Sequence, residues 1–173
     1  MITLTQNGNI RRIDELGRIV IPKDIRKKLH IKNSESLEIY IESDEIHIKK
    51  YSALPDITEY IKYLLDMGSR ITENEYILTT GDSVLASTDE TFINKSFGED
   101  LKNLVFTCTE TKNENIKYLI EDSILMGNAN IVPIIVDGDR TGLLIEYTKN
   151  KDLKDSYIIK IFANLIEKQL SSY

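Results

Sequence analysis

Residues 14–29, Asp14-Glu15-Leu16-Gly17-Arg18-Ile19-Val20-Ile21-Pro22-Lys23-Asp24-Ile25-Arg26-Lys27-Lys28-Leu29, leave little choice of local structure. Leu16-Gly17 predicts a turn in which Gly17 is free to take positive φ. Ile19, Val20 and Ile21 form a β-branched run suited to a strand buried on both faces. Pro22 cannot extend a central strand but fits the first position of a helix. Asp24 then lies in the first helical turn, where a negative charge suits the helix dipole. Ile25 and Leu29, four apart, share a core-facing side. Lys23, Arg26 and Lys27, at i, i+3 and i+4, share another face, while Lys28 points away from them. Arg18 opens the strand that leads in, and Arg11 and Arg12 lie just before it. Packed together, these six basic residues make a compact cationic surface, which is how a small domain grips phosphate.

Charge is distributed to match. The 173-residue chain carries a net charge of −6, from 22 basic and 28 acidic side chains. Residues 1–32 nevertheless hold eight basic and three acidic residues, whereas residues 52–173 hold twelve basic and twenty acidic ones. The front therefore suits a polyanion and the back does not. The apolar share of 41% supports packed cores, and no apolar run approaches the roughly 18 residues of a membrane span. Residues 1–9 lack a secretion signal pattern, so the cytoplasm is the expected compartment. A lone cysteine, Cys108, excludes an intramolecular disulfide and a multi-cysteine metal site.

Periodicity predicts two domains, 1–52 and 53–173, of overall α+β class. After an arm at Met1–Asn7, strands are expected over Gly8–Asp14 and Ile19–Ile21. Leu37, Ile39 and Ile41 alternate with Glu38, Tyr40 and Glu42 as a half-buried strand. A Ser43-Asp44 turn then leads to a strand with Ile46 and Ile48 inside and Glu45, His47 and Lys49 outside. A unit of about 45 residues buries such faces poorly alone, which predicts an obligate β-rich dimer. Ser52–Asp56 reads as a linker. Ile57, Tyr60, Ile61, Leu64 and Leu65 predict an amphipathic helix. Strands follow at Glu75–Thr80 and Val84–Ser87 around Gly81-Asp82, then a helix over Glu99–Phe106. Glu110–Asn115 reads as a polar loop and Ile116–Ile120 as a strand. Asn130–Val136 and Gly142–Thr148 form the clearest hairpin. The helix over Leu153–Leu170 has an apolar stripe wider than one core contact needs, so part of it should pack on another chain.

The run Ile10-Arg11-Arg12-Ile13-Asp14-Glu15-Leu16-Gly17-Arg18-Ile19-Val20-Ile21-Pro22, with Leu37-Glu38-Ile39-Tyr40 and Ile48-Lys49-Lys50-Tyr51, closely resembles the AbrB family of bacterial transition-state regulators. The resemblance implies a dimeric swapped-hairpin β-barrel at the N-terminus and a GAF-like α+β domain behind it. It also implies that Arg11, Arg18 and Arg26, with Arg12 and Lys27, contact double-stranded DNA. Lys23 joins them on the same helix face, where some members carry an apolar residue. A two-fold dimer favours related half-sites, and the family's A/T-rich, flexible targets imply indirect readout. The implied function is a nucleoid-associated activator and repressor of sporulation genes in the forespore, acting as a homotetramer. The same N-terminal fold also serves antitoxins of toxin–antitoxin pairs, which is the alternative.

No other motif carries chemistry. His30 and His47 lack ligands at metal spacing and read as structural or surface residues. Asp137-Gly138-Asp139-Arg140-Thr141-Gly142 opens like a calcium loop, but position twelve is Thr148, and it reads as a hairpin turn. Neither a nucleotide-binding glycine motif nor a nucleophile–base pair is present, so no cofactor, metal or enzymatic activity is expected. Any small-molecule pocket of the GAF-like domain is expected on the sheet face covered by residues 88–115. Sensing a ligand and oligomerising alone remain alternatives for that domain.

Overall fold

The computed structural model describes residues 10–33, 36–110, 112–149, 153 and 156–171. The expected arm and the first two residues of the expected first strand lie outside them. The chain divides into two compact units, Met1–Tyr51 and Ser52–Tyr173.

The first unit contains helix α1 (Lys23–Lys28) and an antiparallel hairpin of β1 (Leu37–Glu42) and β2 (Glu45–Lys50). The hairpin closes through Ser43 and Asp44, whose φ values of 50° and 65° give the turn that matches strand twist. Register pairs Ile39 with Ile48 and Ile41 with Ile46 on one face, and Glu38 with Lys49 and Tyr40 with His47 on the other. Tyr40 and His47 stack at 5.3 Å, and Lys49 lies 3.2 Å from Glu38. The polar face is thus knitted together, and His47 has a structural role there.

Two expectations fail within one chain. Residues 10–13 and Ile19–Ile21 form no strand. Ile39, Ile41 and Ile46, expected inside, are 67–78% exposed, and Ile48 is 36% exposed. Ile10, Ile13, Ile19 and Val20 are exposed as well. The reason is physical: among the described residues of this unit, one hairpin and a six-residue helix supply no second layer, and the β-branched segments find no strand to pair with.

The second unit is a five-stranded antiparallel sheet in the order β4-β3-β7-β6-β5. Its strands are β3 (Glu75–Thr79), β4 (Val84–Ser87), β5 (Lys112–Ile120), β6 (Ser123–Val136) and β7 (Asp139–Thr148). Helices α2 (Thr58–Thr72) and α4 (Tyr157–Leu170) supply one apolar cluster, with Ile61, Leu65, Ile159, Phe162 and Ile166 against Tyr76, Leu78, Ile134 and Leu144. Helix α3 (Glu99–Thr107) belongs to the other, with Leu101, Leu104 and Val105 against Ile77, Ile131, Leu143 and Ile145. Burial on both faces explains the continuous apolar runs of β6 and β7. Residues 94–98 cover both sheet edges: Val84 N donates to Lys95 O (3.0 Å) and Gly98 N to Leu119 O (3.0 Å). Pairing at these strand ends shortens the exposed edges, which invite aggregation.

Three further boundaries differ from expectation. Ser52–Asp56 is not a bare linker, because Leu54–Ile57 forms a 3-10 turn whose Leu54 is fully buried. Lys112–Asn115 extends β5 instead of looping, because polar residues pair across the strands. Asn113 Nδ2 donates to Asn130 Oδ1 (2.6 Å) and Asn115 Nδ2 to Asn128 Oδ1 (3.0 Å). Strand β6 begins at Ser123, seven residues before the expected start at Asn130. The face expected to hold a ligand pocket is filled by Phe92, Phe97, Leu101 and Leu104.

A polar contact helps tie helix α4 to the sheet. Glu167 Oε1 accepts from Ile135 N at 2.7 Å, at the point where β6 shifts register against β7. A bulge leaves such an N–H without a ladder partner. Glu167→Ala should therefore destabilise the second unit by about 1–3 kcal/mol, read as a lower urea midpoint with unchanged slope; an unshifted midpoint would show that water replaces the carboxylate without cost.

Candidate nucleic-acid interface

The cationic residues lie on three consecutive pieces of the first unit. Arg11 and Arg12 are exposed in the segment before the turn, Arg18 closes the turn, and Lys23, Arg26 and Lys27 lie on α1. The turn is built by Asp14. Its Oδ1 accepts from Leu16 N (3.0 Å) and Arg18 N (2.9 Å), and its Oδ2 accepts from Arg18 Nε (2.8 Å). Gly17 N donates to Asp14 O (2.9 Å), and Asp14 N donates to Arg18 O (3.1 Å). Gly17 adopts φ +75°, which an L side chain resists. The Arg18 backbone N–H, and then its guanidinium, hold the Asp14 carboxyl below the ordinary carboxylate range.

Pro22 caps α1 rather than occupying its first turn. The C-terminal end is a Schellman closure with His30 at φ 53°. Ile31 N donates to Arg26 O (2.8 Å) and His30 N to Lys27 O (3.2 Å). Lys50 Nζ donates to His30 O at 2.7 Å, so β2 is fastened to the helix end. Lys23 and Lys27 are exposed on α1, whereas Arg26 is half-buried. Its Nη1 donates to Asn33 Oδ1 at 3.1 Å, and its Nε is buried without a hydrogen-bond partner. Arg26 is thus the least exposed of the six. The structure accordingly exposes Arg11, Arg12, Arg18, Lys23 and Lys27 and partly withdraws Arg26.

Sequence reasoning missed Asp14 and Asn33 as partners of these arginines. Asp14 carries a legible signal: an aspartate two residues before the leucine of a Leu-Gly turn can cap its own loop. Asn33 carries none, since only the Schellman reversal returns the chain toward Arg26.

Over 101 residues, covering 58% of this chain and 97% of the relative, the sequence is 31% identical to the transition state regulatory protein AbrB of Bacillus subtilis (strain 168). The chain belongs to the AbrB family. It is accordingly a DNA-binding transcription regulator of AbrB type. Another relative, stage V sporulation protein T of Bacillus subtilis (strain 168), is 29% identical over 156 residues, which is 84% of this chain and 86% of that protein. Residues 10–56 match the family model described as antidote-toxin recognition MazE, bacterial antitoxin. Among solved structures, the cofactor-binding GAF domain of the nutrient sensor CodY from Clostridium difficile aligns with 69% of this chain and 99% of its own, at 16% identity and a TM-score of 0.44.

Proposed function

We propose that this AbrB-family chain is a sequence-specific activator and repressor of sporulation genes, acting in the cytoplasm on A/T-rich, two-fold related half-sites. The observation that carries the reading is its correspondence with stage V sporulation protein T through both units, 84% of the chain. In this reading Arg11, Arg12, Arg18, Lys23, Arg26 and Lys27 contact DNA. The apolar row Ile39–Ile48 and Ile41–Ile46, with Ile10, Ile13, Ile19 and Val20, meets its counterpart in a second chain as a swapped-hairpin barrel. That exposed apolar content, on so small a unit, supports a dimer.

The second unit is read as a GAF-like regulatory and oligomerising domain. Tyr63, Ile71, Ile161 and Leu165 remain exposed on α2 and α4, and a groove of about 390 Å³ lies on α2 between Tyr63, Asp66, Met67, Arg70 and Ile71. Burial of this face in a dimer of dimers gives the proposed tetramer. The MazE match favours an antitoxin as the second reading; stoichiometric co-purification of a toxin would establish it.

The test is fluorescence anisotropy of an A/T-rich duplex against the full-length chain at several salt concentrations. Affinity should fall steeply with salt. Arg18→Ala should cost about 1–3 kcal/mol without changing the oligomeric state. Absence of binding at low salt would overturn the regulator reading.

A further inference from the structure

Among the described residues, Arg18 is the one of the six cations proposed to meet DNA that a carboxylate holds: its Nε lies 2.8 Å from Asp14 Oδ2, with the two side chains 71% and 42% exposed. An exposed ion pair of this kind adds little to stability, and a carboxylate near a phosphate-binding surface is an electrostatic cost. We propose that Asp14 is a positioning residue for DNA recognition, holding the Arg18 guanidinium by Nε so that its two terminal amino groups face DNA as a fork. This rests on the reading that Arg18 contacts DNA.

The geometry supports the role in three ways. Asp14 uses both carboxylate oxygens: Oδ1 fixes the backbone at Leu16 and Arg18, and Oδ2 fixes the side chain. The loop is therefore closed by its own atoms and forms within a single chain, in a segment that otherwise makes no strand. With Nε occupied, the guanidinium keeps the N–H pairs on its terminal nitrogens, the end-on arrangement that suits phosphate or the O6/N7 edge of guanine. A long side chain already held in place loses less rotamer freedom on binding. The lowered Asp14 pKa agrees, since the carboxylate stays ionised beside its partner.

Binding to an A/T-rich duplex by full-length wild type, Asp14→Asn, Arg18→Ala and the double variant tests this. Asparagine retains an oxygen for the two backbone N–H groups but loses the charged acceptor for Arg18 Nε. Simple removal of a negative charge would tighten binding. The positioning role instead demands about 3- to 30-fold weaker binding for Asp14→Asn in the wild-type background, and no further loss in the Arg18→Ala background. Tighter or unchanged binding by Asp14→Asn overturns the proposal. So does an equal loss in both backgrounds, which would mean that Asp14 acts through the loop rather than through Arg18. If Arg18→Ala alone binds as wild type does, the assignment of Arg18 to DNA fails, and this inference with it.

Discussion

Aspartate in place of Ile41 should reduce the assembly to half its size and weaken DNA binding by about a hundredfold or more. Ile41 is 78% exposed in the single chain and pairs across the hairpin with Ile46, itself 70% exposed. Burying each such isoleucine in a second chain is worth about 2 kcal/mol. A carboxylate there would be desolvated with no partner, and it would sit beside Glu42 and Glu45, which already face each other in register. Loss of the N-terminal dimer removes bivalent DNA contact, and such avidity is worth roughly 10²- to 10⁴-fold. Sedimentation should show the proposed tetramer falling to a dimer held by the second unit. The thermal transition of that unit should persist, because its core clusters use residues from Leu54 onward. An Ile41→Asp protein that stays tetrameric and binds DNA fully would remove the isoleucine row from the interface. Ile41→Val, conserving the apolar surface, should behave as wild type.

The same residues show what one sequence reveals. Alternation identified β1 and β2 and the Ser43-Asp44 turn, because hairpin register and turn chemistry are local properties. Alternation also marked one face of that hairpin as apolar, yet one chain leaves it open; in the proposed dimer a second molecule would supply the burying surface. Residues 10–14 and 19–21, expected as strands, likewise form none in the single chain, and the proposed dimer would supply their partners. In the second unit, Asn113 and Asn115 look like loop residues by composition, but each finds an asparagine directly across the ladder. Nothing local announces a partner 13 or 17 residues away. Leu54 sits beside a proline in a short polar stretch, and its burial depends on the long-range arrangement of α2, α4 and the sheet. The proposed cationic site rests on residue type and spacing. Its internal wiring, through Asp14 and Asn33, needed the turn and the helix reversal in three dimensions.

Gly142→Ala should destabilise the second unit by about 3 kcal/mol or more, lowering its thermal midpoint by roughly 10 °C. Gly142 lies on β7 opposite Ile134, immediately before the register shift between Ile134 and Ile135. On its other side, the register of β3 with β7 ends at Leu78, opposite Leu144. The Thr79 carbonyl lies over Gly142, so that an added Cβ would overlap its oxygen and come within 3.2 Å of Leu54 Cδ1. A flexible side chain could move aside, but a backbone carbonyl cannot do so cheaply. Thr79 is completely buried, and its Oγ1 accepts from Leu143 N at 3.0 Å, fixing the strand where the methyl would press. Gly81→Ala is the control, since the nearest atom, on the Phe106 ring, lies 3.8 Å from the added carbon; its stability should change by no more than about 0.5 kcal/mol. Equal midpoints for the two variants would mean that β3 yields at Thr79. A selective loss in Gly142→Ala would establish that close approach of β3 to β7, rather than glycine's flexibility, requires the missing side chain.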